Sequence, residues 1–344
     1  MLGDEGQFTL HGLTPPSRVS AAASKLCADK EIYMQVPIKR DSHPTASKAT
    51  TQLKDIRKTL PLRVLSQADW LHWTTRGYVI VRQAVPAATV ERLVDVLWQF
   101  DEKDPDDPST WYTPQRRDHK MTELNNTGML EIYNHQALWD TRMEPRVYDA
   151  FVDIWDREDL WVTIDRANLN PPNRMNDNPN GFIHWDVDTS VRPLPIGVQG
   201  VLSLLKQDAE VGGFQCVPEL FSNFDEWVET QPADRDPMHP ATTGLTIVSA
   251  DLEPGDLLIF NSLLAHGVRP NHSDARVRMA QYISMHPADW NNAPERAERI
   301  RLWRELDSPK RDAFPGDPRH WEQQHARTAT LTPLGERLLG LISW

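Results

Sequence analysis

Cysteine is scarce. The 344-residue chain carries two, Cys27 and Cys216, too few and too far apart for a disulfide framework or a zinc cluster of their own. A reducing, cytoplasmic compartment is the expectation. No stretch approaches the roughly 18 consecutive apolar residues that span a bilayer, so no membrane partner is expected. The first thirty residues include Asp4 and Glu5 and no apolar run of secretory length, and the final Ile342-Ser343-Trp344 is not a peroxisomal tripeptide. Basic residues are in the minority: 37 Lys and Arg against 49 Asp and Glu leave a net charge of −12, which argues against nucleic acid and other polyanions as partners. No internal repeat is present. What the chain has in excess is 13 Trp and 27 Pro, the latter about 8% where roughly 5% is usual. That excess predicts irregular segments and broad aromatic walls around a core that a chain of 39.4 kDa can readily build. Nothing in the sequence speaks to oligomeric state.

Residues 1–60 are polar and aperiodic and read as an N-terminal arm, partly disordered; residues 61–344 read as a single domain. Ser66 should cap a helix ended by Gly77, Tyr78-Val79-Ile80-Val81 should be a strand, and Pro86 should open a second helix carrying Val90, Leu93, Val94 and Leu97. A third helix is expected over 144–155, with Val147, Phe151 and Ile154 on one stripe, and helical packing resumes over 293–342. Between 160 and 285 the texture changes to short apolar or alternating runs separated by Pro, Gly and Asn: 160–164, 181–184, 198–205, 245–248, 257–260 and 279–285. The fold class expected is mainly β with flanking helices, built on a double-stranded β-helix of the jelly-roll, cupin-like kind.

Three features carry chemistry. His184-Trp185-Asp186 ends one expected strand, where residues i and i+2 share a face about 6.6 Å apart, close enough for an imidazole and a carboxylate to meet on one ion. Asp188 shares that face at about 13 Å from His184, making it the second choice. His266 follows the turn and apolar strand of Pro254 to Phe260. By themselves these groups are equally a salt-bridged pair and a core histidine bonded to a carbonyl. Arg276 and Arg278 alternate onto one face of the next strand, where an unpaired guanidinium in a barrel must reach solvent or hold an anion. Together, two His and one carboxylate make the facial triad of a non-heme Fe(II) oxygenase, and the Arg offers an anchor for an acidic co-substrate.

The order H-x-D, then Gly212-Gly213-Phe214-Gln215-Cys216-Val217-Pro218, then G-D-L-L-I-F with a later H-G, then S-D-x-R-x-R-x-A, resembles the phytanoyl-CoA dioxygenase family of Fe(II)/2-oxoglutarate-dependent oxygenases. The resemblance spans roughly residues 160–285 and weakens toward Tyr78. It implies His184, Asp186 and His266 as iron ligands and Arg278 as the residue binding the distal carboxylate of 2-oxoglutarate, with Arg276 the alternate. Asp165-Arg166-Ala167-Asn168, ahead of Gly181-Phe182, is similar to the ectoine-hydroxylase branch. That likeness implies a co-substrate contact for Asn168 and a place near the substrate for Arg166, and Trp185, Asp188 and Phe182, in the segment that carries the first two ligands, are expected around the substrate as well. Glu219-Leu220-Phe221 and Val268 depart from the family pattern.

The activity implied is oxidation of a small polar or amino-acid-like metabolite by O2, by hydroxylation, desaturation or ring closure, with release of succinate and CO2. The competing reading is a jelly-roll Zn or Ni protein acting as a hydrolase, isomerase or binding module without 2-oxoglutarate, since imidazole suits several metals. Thr163, Asp165 and Gln199 read as cross-strand partners, and His72, His119, His135, His272 and His286 as surface or structural residues.

Overall fold

A computed structural model describes residues 53–54, 56–112, 128–174, 180–310 and 314–344, so most of the polar arm, Cys27 and His119 lie outside the described residues. Residues 58–65 are held against the helix Pro145–Trp155 by two acids at its C-terminal end. Asp153 accepts hydrogen bonds from the backbone N–H groups of Arg63, Val64 and Leu65, and Asp156 from those of Thr59 and Leu60 while pairing with Lys58. The folded body therefore takes in residues 58–60, because backbone donors, which polarity patterns do not register, make these contacts.

The helices around Ser66, Pro86 and Pro145 form as expected. Ser66 Oγ and Asp69 make a capping box on Gln67–Arg76, which Gly77 closes at φ 79°. Val90, Leu93 and Leu97 are buried from Ala87–Asp101, and Val147, Phe151 and Ile154 from Pro145–Trp155.

The strands are β1 Tyr78–Val81, β2 Met129–Leu130, β3 Leu160–Val162, β4 Ala167–Asn170, β5 Val198–Ser203, β6 Gly213–Cys216, β7 Val248–Ser249, β8 Leu257–Asn261, β9 His266–Arg269, β10 Arg278–Tyr282 and β11 Met285–Pro287. They pair antiparallel as a large sheet, β1-β8-β5-β10-β4-β2, a small sheet, β7-β6-β9, and the pair β11-β3. "Mainly β" needs correction: helical residues outnumber strand residues, and the architecture is mixed α/β with antiparallel sheets. The excess comes from pieces such as Gln136–Arg142, Pro218–Ser222 and Phe224–Glu229. Each is about two turns or less, too short for a 3.6-residue period to show. Likewise Gly213–Cys216, outside the expected strands, is a strand, and 181–184, expected as a strand, supplies only a bridge at His184.

Alternation along the large sheet divides the molecule. Met279, Leu257, Ile259 and Leu202 face the helices in one core cluster, whereas Ala280, Tyr282, Leu258, Phe260 and Val201 face Phe214 and Cys216 of the small sheet in a second. Register places Arg278 opposite Asn170 and Ala280 opposite Asn168, so the polar groups of β4 and β10 share this inward face.

One buried acid outside the sheets sets a pH dependence. Glu322 accepts from the backbone N–H groups of Tyr133 and Asn134, and burial raises its carboxyl to about 7 against those bonds. The folded chain then keeps a proton that the unfolded chain releases near its ordinary value, so stability falls as pH rises from about 4.5 to 7, by about 3 kcal/mol. Urea unfolding at pH 5 and pH 8 should show that fall in the wild type and a flatter profile in Glu322→Gln; equal slopes would refute it.

Candidate active site

The centre is assembled from two segments far apart in sequence. His184 and His266 exchange both backbone hydrogen bonds, at 2.8 and 2.9 Å, which seats the segment carrying the first His on the free edge of β9. Side chains then converge: His184 Nε2 lies 3.2 Å from Asp186 Oδ1, and His266 Nε2 lies 3.5 Å from Asp186 Oδ2. One donor atom from each of the three falls within 4.8 Å of the others. Gly267 makes the seating possible, because a Cβ there would stand 1.7 Å from the Phe182 carbonyl oxygen.

The donors suit a divalent transition metal. Ligands at about 2.1 Å on adjacent octahedral positions are about 3 Å apart, close to the two His–Asp separations. Burial drives the His266 imidazole down to about 4, opposed by Asp186, so its ring is neutral at pH 7. The Leu264 carbonyl accepts from His266 Nδ1–H at 2.9 Å, which turns the Nε2 lone pair toward the centre. Phe260 and Phe214 pack on that ring at 4.2 and 6.0 Å between centroids. Burial raises the Asp186 carboxyl, but the two imidazoles outweigh it and hold it below the usual carboxylate range.

Arg278 stands on the inward face of β10 and is 3% exposed. Its Nε donates to Gln207 Oε1 and its Nη1 to Asn170 Oδ1, both at 3.1 Å. Both acceptors are neutral amides, and among the described residues no carboxylate lies within ion-pair distance of this guanidinium. Of five N–H donors two are used, which leaves the fork at the far end of the group and an undiminished positive charge. Asn168 is 2% exposed on the same face; its amide donates to Tyr282 Oη at 3.0 Å, and its Oδ1 is buried with no partner. A buried cation with no counter-charge is unfavourable by itself and fits an anionic ligand. Arg276 is different: Asp208 and Glu210 neutralise it at the surface.

The other expected site residues are dispersed. Trp185 is fully buried and donates to the Leu263 carbonyl, packed on Phe224 and Trp227 in the small sheet's core. Arg166 forms a buried ion pair with Glu131 over the Phe314 ring. Asp188 closes a turn by accepting from Ser190 N and Oγ. Phe182 stays at the rim, 48% exposed, its ring 5.1 Å from that of His184. Sequence reasoning missed Gln207 and Asn170. Alternation from Asn168 would have found Asn170; Gln207 has no local signal, being placed by Gly213, where a Cβ would stand 2.4 Å from its Oε1.

The chain is 26% identical to Ava biosynthesis cluster protein O of Aspergillus versicolor over 246 residues, 64% of this chain and 77% of that protein. It is 23% identical over 263 residues to a Dictyostelium discoideum protein carrying the phytanoyl-CoA dioxygenase name, 63% of this chain and 74% of that one. Its fold is shared with a Salmonella typhimurium LT2 protein described as an oxidoreductase, at a TM-score of 0.57 and 17% identity, covering 80% of this chain and 83% of the other. Among the described residues no helix is long and apolar enough to cross a membrane. The phytanoyl-CoA dioxygenase family model matches residues 73–280, a span that contains all three convergent donors and Arg278. The chain therefore belongs to the phytanoyl-CoA dioxygenase family of Fe(II)/2-oxoglutarate-dependent oxygenases.

Proposed function

We propose that the protein oxidises an unactivated C–H bond of a small metabolite, most simply by hydroxylation, with His184, Asp186 and His266 holding Fe(II) and Arg278 anchoring 2-oxoglutarate. The observation carrying this reading is Arg278: a buried cation with only neutral partners, on the inward face that looks toward the triad. A Zn or Ni hydrolase, isomerase or binding module has no use for that charge. We read the two sheets as halves of a double-stranded β-helix. The name of the Aspergillus relative supports a substrate drawn from a biosynthetic pathway. An amino-acid substrate loses its expected clamp, because Arg166 is committed to Glu131.

When bound, the iron supplies dioxygen activation coupled to decarboxylation of 2-oxoglutarate to succinate and CO2. The residues of the chain do the rest. Neutral His266 and ionised Asp186 present lone pairs without first shedding a proton. Gln207, tied to Ser203 Oγ at 2.7 Å, and Asn170 hold the guanidinium plane so that its free fork receives a carboxylate without reorganisation. Phe214, Phe260 and Tyr282 wall the space between, and such apolar walls keep water away from a reactive centre. Anaerobic addition of Fe(II) and 2-oxoglutarate should give a visible metal-to-ligand charge-transfer band that Zn(II) does not give. Absence of the band, with the fold intact, would remove the oxygenase reading.

A further inference from the structure

A second guanidinium sits on the small sheet under conditions like those of Arg278, but on the opposite face. His266 turns inward along β9 onto Phe214 and Phe260, so by alternation Arg269 turns outward. Its Nε and Nη2 are both buried with no hydrogen-bond partner. Among the described residues no carboxylate is within ion-pair distance; Asp251 and Asp208 act on it only through space, and Asp208 is bound by Arg276. Nε–H and one Nη2–H form a single edge of the planar group, two parallel donors matched to the two oxygens of a carboxylate. Both donors of that edge are unsatisfied at once.

Arg269 lines a cavity of about 520 Å³ together with Phe182, Ile183, Gln215, Ile247 and His272, a size ordinary for small-molecule sites. Its far wall is apolar and open: Phe182 is 48% exposed and Ile247 43%. The near wall is fixed, since the Gln215 amide donates to the carbonyls of Asn180 and Phe182. We propose that this cavity binds an organic carboxylate with an apolar body, its head taken by the Nε/Nη2 edge of Arg269 after a small rotation of the side chain and its body lying on Phe182 and Ile247. The Phe182 ring also packs on His184, so one aromatic group borders both this cavity and the metal centre. The carboxylate can therefore belong to a substrate reaching across Phe182 or to a separate effector, the recognition chemistry being the same. The site does not depend on the oxygenase reading, because binding can be measured without metal.

The test is calorimetric titration of the metal-free full chain with 2-naphthylacetate and its neutral counterpart 2-naphthylacetamide. The acid is expected to bind, the amide about tenfold or more weaker, and Arg269→Gln to weaken the acid by about tenfold or more, with Arg269→Lys between. Arg278→Ala should leave the acid's affinity unchanged, which separates this cavity from the co-substrate anchor. No binding of the acid at millimolar concentration overturns the proposal. So does equal binding to wild type and a folded Arg269→Gln, or a loss confined to Arg278→Ala. Mn(II) loading then separates the sources. Strong paramagnetic broadening of the naphthyl proton signals marks a ligand reaching the metal centre, and unbroadened signals mark an effector; both results keep the site.

Discussion

Replacing His266 by alanine should reduce divalent metal affinity by at least about 100-fold, more than loss of an outer partner of a ligand costs. The reason lies in how little else in the centre can substitute. His266 is buried, and the Leu264 carbonyl that fixes its ring has no metal-binding role of its own. Removing the imidazole leaves His184 and Asp186, two donors on a 23% exposed rim, which hold a transition metal only weakly. Titration with Co(II), followed by its visible d–d bands, measures this directly. Circular dichroism should be unchanged, since Phe214 and Phe260 can close over a methyl group. A His266→Ala protein that kept wild-type Co(II) affinity would show that the convergence of the three side chains is a salt-bridged cluster and no metal centre.

Loss of Arg278 should separate binding from stability. In Arg278→Leu the affinity for 2-oxoglutarate, read from the charge-transfer band, is expected to fall at least about 100-fold, the loss of a charge-assisted bidentate contact of about 3 kcal/mol. Arg278→Lys keeps the charge but not the fork and should fall between, about tenfold down. Stability should move little, because the leucine removes a buried charge that no carboxylate neutralises while freeing Gln207 and Asn170 of their donor. Unaltered 2-oxoglutarate affinity in a folded Arg278→Leu would sink the role assigned to it. Arg276→Ala is the control: its charge is spent on Asp208 and Glu210 at the surface, so co-substrate affinity should be unaffected.

The triad was legible in sequence because two of its members sit at i and i+2, and because the third follows a turn, an apolar strand and a break that leave few placements for it. Arg278 was legible only together with Arg276; what separates them is an ion pair to Asp208, about seventy residues upstream, which no local pattern contains. Trp185 misled for a related reason. It lies between two metal ligands, and alternation turns it away from them, where Phe224 and Trp227 bury it. Arg166 was placed by a local likeness, whereas its partner Glu131 directly follows β2, the strand paired with β4. The helices of five to seven residues at 136–142, 218–222 and 224–229 were invisible because their periods barely begin. In each case the missing information is tertiary: which acid is near, and which side of a sheet is covered.

The His184–His266 bridge has a consequence for the life of the chain. Its two halves are separated by about eighty residues of sequence, and β9 carries β6 on one edge and His184 on the other. A nascent chain that has not yet released His266 from the ribosome has two of the three donors and no edge to complete the site. Iron uptake is then a late step in biosynthesis, and prematurely terminated products ending before residue 266 should leave the cell's iron untouched.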